Sequence, residues 1–318
     1  MRRLPALLAC LLAAPAWAGD IVGYVANSQT SIDTFDRWPN GIASPTPNGA
    51  AGFVGAGLNL SGIGWRADNP TFAVSLIAAV PTADPSAPAV GRYILGAAHV
   101  GLGTSVTFAD NLGVTHTYAV TATQRLTTNG VLSDILIGRL SANVPSGDGI
   151  KPLPLAAVTR TTAVGLEAYA YTQNAAYGST RRQLGLATIG AVQQVDFGPG
   201  NSPTVDAVWQ RDLNRTGSVL LTGGDSGGPL FTRGLNGETA LIGAHMGVDA
   251  GQGVSVSSFL PEAEYVTQLS QFMGVDGYQV LFAPVPEPTG LLAVAVVGAL
   301  AWRRRARFTV PSSSPAAR

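Results

Sequence analysis

One serine of this chain lies in a run of small residues that suits nucleophilic catalysis. Residues 223–229 read Gly-Gly-Asp-Ser-Gly-Gly-Pro, with Ser226 at the centre. A serine hydroxyl attacks a carbonyl group efficiently only when a base removes its proton and donors stabilise the resulting oxyanion. Glycines on both sides allow a tight turn that exposes Ser226 and directs the backbone amides of Gly224 and Ser226 towards one point. The run predicts a nucleophile with its oxyanion hole; the alternative is an ordinary glycine-rich turn.

His99 is the candidate for the base that would activate this serine. It ends residues 93–99, whose sequence Tyr-Ile-Leu-Gly-Ala-Ala-His is typical of a strand. A histidine at the end of a strand is otherwise usually structural, but the serine motif favours a catalytic role here. His116 has alternating neighbours and fits a solvent-facing strand.

The chain has three histidines, which are too scattered to predict a zinc site, so no metal is expected.

Asp134 is the candidate for the carboxylate that would orient the imidazole and stabilise its protonated form. It opens residues 134–140, Asp-Ile-Leu-Ile-Gly-Arg-Leu, which fit a strand. The alternative is an ordinary aspartate at the start of a strand or turn. Two other aspartates, Asp110 and Asp148, are not followed by a comparable strand. A triad of this serine, histidine and aspartate needs no cofactor.

The three segments resemble the triad motifs of chymotrypsin-like serine proteases of the trypsin superfamily. Gly-Asp-Ser-Gly-Gly-Pro is the nucleophile motif of that family, and Ala-Ala-His carries its base. The chain order His99, Asp134, Ser226 is that of this class and differs from the orders in subtilisins and α/β-hydrolases. Gly96 stands where family members usually have Ser or Thr, and Val100 stands where vertebrate members have cysteine.

The resemblance covers about residues 71–273 and implies an all-β fold of two six-stranded antiparallel barrels with a short C-terminal helix. The site would lie in the cleft between the barrels. The resemblance also implies a serine endopeptidase that hydrolyses a protein or peptide substrate through an acyl-enzyme intermediate. Two alternatives use the same fold: a catalytically inactive surface module that binds partners, and an esterase with the same serine.

The composition favours a strand-rich chain that does not bind nucleic acid. Its 39 glycines and scarce helical periodicities favour short strands joined by turns. Lys plus Arg (19) balance Asp plus Glu (19), and charged residues make up only 12%, so no basic excess could neutralise phosphates. The one cysteine, Cys10, lies in a segment that we expect to be removed, so we expect no disulfide in the mature protein.

Apolar and β-branched runs separated by Gly, Pro and Asn predict the elements between the ends. Predicted strands cover residues 72–79, 92–98, 115–121, 131–140, 164–171, 186–195, 240–246 and 254–259. Apolar residues spaced by three predict a helix over 261–273, with proline in its first turn. Residues 144–149, rich in Gly, Pro and Ser, are the predicted linker between two halves.

The first eighteen residues have the pattern of a secretory signal peptide. Two arginines precede a short apolar run, and small residues precede the expected cut after Ala18. The alternatives are a membrane anchor, for which the apolar run is short, and a lipoprotein signal ending at Cys10.

The C-terminal region has a second targeting pattern. Pro286-Glu287-Pro288 precedes an apolar run that ends in a cluster of arginines. This combination resembles the PEP-CTERM sorting signal of Gram-negative bacteria; the alternative is a buried terminal helix. The resemblance implies that export machinery and an exosortase act on the chain. It also implies transient membrane association through residues 289–302, and a final location at the cell surface or in the extracellular matrix.

These patterns together predict an order of segments along the chain. The expected segments are a signal peptide (1–18), an N-terminal segment (19–70), a first barrel (71–149), a second barrel with the closing helix (150–275), a linker with the PEP motif (276–288), a sorting segment (289–307) and a tail (308–318).

A weaker resemblance concerns activation. Residues 20–24, Asp-Ile-Val-Gly-Tyr, resemble the activation cut of trypsin-like zymogens. A cut there would give Ile21 a free amine that could pair with Asp225, since a carboxylate buried beside Ser226 needs a cation. Ile21 lies 99 − 21 = 78 residues before His99, further than is usual in the family.

Two segments concern substrate specificity. Leu220 stands six residues before the serine, where trypsin-like enzymes keep the carboxylate that selects Lys or Arg, so basic selectivity is not expected. Residues 242–247, Ile-Gly-Ala-His-Met-Gly, resemble the Ile-Gly-Ile-His-Trp-Gly segment of bacterial glutamyl endopeptidases. This resemblance implies that His245, with Gly247 close to it, recognises an acidic side chain. The alternative is a core histidine on a strand.

Overall fold

The computed structural model describes residues 19–24, 34–173, 181–196 and 203–288, and most of its regular structure is β-strand. In chain order the strands are β1 (Asp20–Ile21), β2 (Ile63–Arg66), β3 (Ala73–Pro81), β4 (Val90–Ala97), β5 (Ser105–Ala109), β6 (Thr115–Thr128), β7 (Val131–Leu140), β8 (Leu155–Ala156), β9 (Glu167–Gln173), β10 (Arg182–Thr188), β11 (Ala191–Val195), β12 (Thr204–Gln210), β13 (Val219–Leu220), β14 (Pro229–Arg233), β15 (Thr239–Asp249), β16 (Val254–Ser258), β17 (Tyr278–Val280) and β18 (Phe282–Ala283). The helices are α1 (Arg160–Ala163) and α2 (Ala263–Gly274).

The first sheet contains a closed ring of six antiparallel strands. Its order is β3-β2-β5-β6-β7-β4, and β4 pairs back with β3. Strand β17 pairs with the C-terminal end of β3, beyond the residues that pair with β2. This ring matches the first of the two barrels that the family resemblance implies.

The second sheet carries the serine motif beside one of its strands. Its order is β10-β9-β14-β15-β16-β12-β11, and β8 pairs in parallel with both β15 and β18. Within the described residues no pairing joins β10 to β11, so this sheet is an open path rather than a hydrogen-bonded ring. The all-β class with two sheets and a late helix is confirmed.

Buried residues on both faces of a strand explain how the first sheet packs. Successive side chains of a strand point to opposite faces. In β3, Val74 and Leu76 lie in a cluster formed by first-sheet residues, whereas Ala73 and Ile77 lie in a larger cluster that includes the second sheet. Strand β3 is therefore packed on both of its faces.

Helix α2 ties the two sheets together. The Tyr265 hydroxyl lies 2.6 Å from the Thr128 hydroxyl of β6 and accepts a hydrogen bond from the Val205 amide of β12 at 2.8 Å. The sequence predicted this helix over 261–273, and it is observed from Ala263 to Gly274.

Some predicted boundaries differ from the observed ones. The single strand expected over 186–195 is two strands, because the chain turns at Ile189 and Gly190, whose amides bond Leu166 and Val208. The first barrel begins at Ile63, ahead of the expected residue 71, because β2 pairs with β3 and β5. The expected linker 276–288 contributes β17 and β18, whose backbones pair with the two sheets.

The chain crosses between the two sheets after β7. Residues 146–148 form one turn of 3₁₀ helix that ends at Gly149 (φ 69°), and the flanking Val144 and Ile150 are buried. The predicted signal peptide, the sorting segment and the tail lie outside the described residues. Across the part of the chain that the structure describes, no helix has the length and apolarity needed to cross a bilayer.

Candidate active site

The end of β4 and the start of β7 bring His99 and Asp134 together. In the register of these antiparallel strands Ala97 lies opposite Ile135. The Ala98 amide donates to the Asp134 carbonyl at 2.8 Å, which extends the pairing by one step. Ala98 therefore lies opposite Asp134, and His99 follows one residue later.

The Asp134 carboxylate contacts both the backbone and the ring of His99. One oxygen accepts the His99 amide at 2.8 Å, and the other lies 2.5 Å from the ring Nδ1. Because an ionised carboxylate only accepts, Nδ1 donates and Nε2 is left as an acceptor. The Asp134 side chain is 15% exposed and the His99 side chain 44%, so the free face of the ring lies towards solvent.

Ser226 lies on the opposite side of the cleft, with its Oγ 2.9 Å from His99 Nε2. The turn after it depends on Gly227, whose φ of +82° favours glycine. A Cβ at Gly227 would lie 2.8 Å from the Ala73 carbonyl oxygen of the first sheet. The Gly227 amide donates to the His245 carbonyl at 3.0 Å. The serine is thus fixed between β15 and the first sheet.

Two backbone amides beside the serine, those of Gly224 and Ser226, donate no hydrogen bond within the described residues. The hydrogen bonds of this loop use the amides of Asp225, Gly227 and Gly228. The amides of Gly224 and Ser226 have no backbone partner among the described residues. These are the two donors that the sequence predicted for the oxyanion hole.

Asp225 is buried beneath the serine loop. Its carboxylate accepts the Gln173 amide at 2.8 Å and the Thr222 amide at 2.9 Å. Burial raises its pKa to about 7, although these hydrogen bonds and the charge of Arg182 favour the ionised form. In the uncut chain Ile21 lies in β1 opposite Val219. Its pairing with Asp225 after cleavage stays a prediction.

A cavity opens directly beside Ser226. Its lining residues are Leu221, Thr222, Gly223, Asp225, Ser226, His245, Gly247 and Val248. The register of β15 and β16 shifts between His245 and Gly247, two of these lining residues. Leu220 is buried in β13 opposite Asp20 and is not among the lining residues.

His245 forms a buried wall of this cavity. Its Nδ1 lies 2.7 Å from the Ser257 hydroxyl, and its Nε2 lies 3.2 Å from the Tyr171 carbonyl oxygen. Burial lowers its pKa to about 3. A carbonyl oxygen only accepts, so the network assigns the hydrogen to Nε2 of a neutral ring whose Nδ1 accepts from Ser257.

The structure brings together His99, Asp134, Ser226 and Gly224, with His245 and Gly247 at the adjoining cavity. Sequence reasoning missed Gln173 and Thr222, whose amides hold Asp225, because neither lies in a recognisable motif. Among the described residues no group of three or more His, Cys, Asp or Glu side chains is arranged to hold a metal ion.

The two sheets and the residues of the cleft define a chymotrypsin-like protease fold. The family profile described as Trypsin matches residues 89–266, more than half of the chain, and the chain therefore belongs to the Trypsin family. The match includes all three triad candidates. No curated protein sequence matches the chain.

Solved structures give a more distant likeness. The NS6 protease from murine norovirus 1 is 14% identical with a TM-score of 0.37, over 60% of this chain and 86% of that chain. Human heparin binding protein is 16% identical with a TM-score of 0.41, over 63% of this chain and 86% of that chain. At these identities neither structure carries an argument about activity.

Proposed function

We propose that this protein is a serine endopeptidase that uses Ser226, His99 and Asp134. The observation that carries the proposal is a continuous pair of contacts, Oγ to Nε2 at 2.9 Å and Nδ1 to the Asp134 carboxylate at 2.5 Å. These distances suit proton transfer from a nucleophile to a base that a third group orients.

In the first half of the reaction, Ser226 Oγ attacks the carbonyl carbon of a peptide bond while its proton passes to His99 Nε2. The carbonyl oxygen becomes an oxyanion that accepts hydrogen bonds from the Gly224 and Ser226 amides. The carboxylate of Asp134 stabilises the imidazolium that has formed. His99 then gives the proton to the leaving amine, the C–N bond breaks, and an acyl-enzyme remains.

In the second half, water replaces the departed amine. His99 Nε2 takes one proton of the water as its oxygen attacks the ester carbon, and the same two amides hold the new oxyanion. When the ester bond breaks, Ser226 Oγ recovers the proton from His99 and the carboxylic acid product leaves. Each proton that the serine gives up is returned within one cycle, so the site needs no co-reactant besides water.

Hydrolysis of a denatured protein by purified residues 19–283 tests the proposal. We expect new peptide amines to form with the wild-type chain and the rate to fall by about 10⁴-fold or more with Ser226→Ala. Ser86→Ala is the matched control, since Ser86 lies in the exposed turn between β3 and β4 and bonds only Asp84. A folded wild-type chain that cleaves neither amides nor esters would favour the binding module, and cleavage of esters alone would favour the esterase.

We further propose that the chain is exported and sorted to the cell surface. The support is sequence pattern alone: the signal-like residues 1–18, and the Pro286-Glu287-Pro288 run followed by apolar residues and arginines. Expression in a Gram-negative host that has an exosortase should give a mature protein beginning at Gly19 and lacking the arginine cluster, as read by intact mass. Retention of either end in the surface fraction would contradict the proposal.

A further inference from the structure

Gln173 contacts the serine loop through both its backbone and its side chain. It is the last residue of β9 and is 5% exposed. Its amide donates to the Asp225 carboxylate at 2.8 Å, and its side-chain Nε2 donates to the Thr71 carbonyl at 3.0 Å and to the Gly224 carbonyl. The side-chain NH₂ group carries two hydrogens, so Nε2 can donate to both carbonyl oxygens at once.

These contacts hold the residue that supplies one oxyanion donor. Gly224 has a φ of +98°, and a Cβ there would lie 2.7 Å from Gln173 Nε2. The side-chain amide of Gln173 therefore packs against the Gly224 backbone as well as bonding it. With the Gly224 carbonyl and the Asp225 carboxylate both held by Gln173, the peptide between these residues cannot rotate without breaking the hydrogen bond to the Gly224 carbonyl.

The same side chain reaches across the cleft. Thr71 lies in the turn that leads into β3 of the first sheet, and Phe72 of this turn bonds back to Asn69. The serine loop follows β13 and precedes β14 on the other side. Gln173 thus connects the sheet that carries His99 to the loop that carries Ser226, at the place where the two must meet.

We propose that Gln173 is a positioning residue that sets the oxyanion hole by holding the Gly224 carbonyl against the turn at Thr71. This inference rests on the proposed endopeptidase function. Gln173 touches no reacting atom, so it acts on the oxyanion only through Gly224. Its loss should weaken binding of the transition state more than binding of the substrate.

The test compares Gln173→Met with the wild-type chain. Methionine is unbranched and of similar length, so it fills the same space without donating a hydrogen bond. We expect kcat for a peptide substrate to fall by about 10- to 100-fold, somewhat less than for loss of a direct oxyanion donor, with KM changed by less than about threefold. Affinity for a peptide trifluoromethyl ketone, whose adduct carries an oxyanion, should fall in proportion to kcat/KM.

The matched control is Gln268→Met. The Gln268 side chain also ties a helix to a strand backbone, accepting from the Thr127 amide at 2.8 Å and donating to the Thr127 carbonyl at 2.9 Å. It bonds no residue of the serine loop, so kcat should stay within about twofold of the wild-type value. A general loss of rigidity would affect both variants alike.

Amide hydrogen exchange separates failure of this inference from failure of the proposed function. Exchange over residues 222–227 should quicken in Gln173→Met and not in Gln268→Met, whether or not the wild-type chain turns over a peptide. If Gln173→Met unfolds, Gln173→Leu, which is shorter and also has no donor, gives the same comparison. Wild-type kcat together with wild-type exchange in the Gln173 variant would overturn the inference.

Discussion

The Asp134 carboxylate binds His99 twice, through the backbone amide at 2.8 Å and through ring Nδ1 at 2.5 Å. One carboxylate thereby holds both the backbone of the histidine and the orientation of its ring. The ring then presents Nε2 to Ser226 Oγ at 2.9 Å. Both hydrogen bonds need an oxygen that accepts, and a side-chain amide offers only one such atom.

Asp134→Asn should lower kcat by about 10³- to 10⁴-fold with little change in KM, because an amide group replaces one acceptor with a donor and disfavours the working tautomer of His99. Steady-state kinetics on a peptide ester and a peptide amide would measure the loss. Asp148→Asn is the matched control, since Asp148 also lies near a histidine, His116, at 3.5 Å. Equal effects of the two substitutions would contradict the assigned role of Asp134.

The cavity beside Ser226 should accept an uncharged side chain. His245 uses both ring nitrogens within the protein, and burial lowers its pKa to about 3, so it stays neutral at physiological pH. Peptides that differ only in Gln or Glu at the residue before the cut test this directly. We expect kcat/KM to be at least about tenfold higher for Gln, because a buried carboxylate would find no cationic side chain among the described residues that line the cavity. Faster cleavage after Glu would restore the preference for acidic residues that the glutamyl endopeptidase resemblance implies.

The chain that begins at Gly19 should be active without a cut before Ile21. In the uncut chain the triad distances are already within hydrogen-bond range, and Asp20 and Ile21 pair with Leu220 and Val219. Gly19 is itself buried, and a Cβ there would lie 2.4 Å from Thr172 Oγ1, so the local structure requires this glycine. Activity assays run beside intact-mass measurements would decide. Activity that appears only after loss of Gly19 and Asp20 would establish Ile21 as the activating terminus.

Asp225 should make the protein less stable as the pH rises from about 4 to about 7. Burial raises its pKa from 3.8 to about 7, so between these values the folded state keeps a proton that the unfolded state has lost. The free energy of unfolding then falls with pH, by up to about 1.4 kcal/mol per pH unit for one group, and levels off above pH 7. The charge of Arg182 opposes this shift.

Urea unfolding of the wild-type chain and of Asp225→Asn, from pH 4 to pH 8, isolates this contribution. The Gln173 and Thr222 amides bond different oxygens of Asp225, and asparagine replaces one of these two acceptors with a donor. This loss offsets the two curves by a constant amount. Only the slope of their difference therefore reports the titration. We expect the free energy of unfolding of the wild-type chain minus that of Asp225→Asn to fall with pH. A difference that is flat or rises with pH would contradict a raised pKa for Asp225.

Sequence motifs predicted which side chains meet in the candidate site better than they predicted the surrounding structure. The segments around His99, Asp134 and Ser226 carry local patterns that specify a strand end, a strand start and a glycine turn. The structure brings these three side chains into contact. Strand β7 was predicted with its observed limits because it is rich in Val, Ile and Leu and Gly130 precedes it.

Other features depend on contacts that no local pattern carries. Strand β14 was not among the predicted strands. It begins at Pro229, and a proline, which lacks an amide hydrogen, does not by itself indicate a strand. The role of β2 depends on its pairing with β3 and β5, and β5 is remote from β2 in the sequence. Gln173 shows no motif, and its importance appears only once Thr71, Gly224 and Asp225 lie around it.

The most direct test of the account is labelling of purified residues 19–283 with a fluorophosphonate probe, followed by mass mapping of the modified peptide. Such a probe reacts with a serine whose hydroxyl is activated by a neighbouring base. We expect a single labelled site at Ser226, and loss of labelling in His99→Ala at an unchanged melting temperature. A folded wild-type chain that is not labelled, or labelling at Ser226 that persists without His99, would contradict the proposed activation of Ser226 by His99.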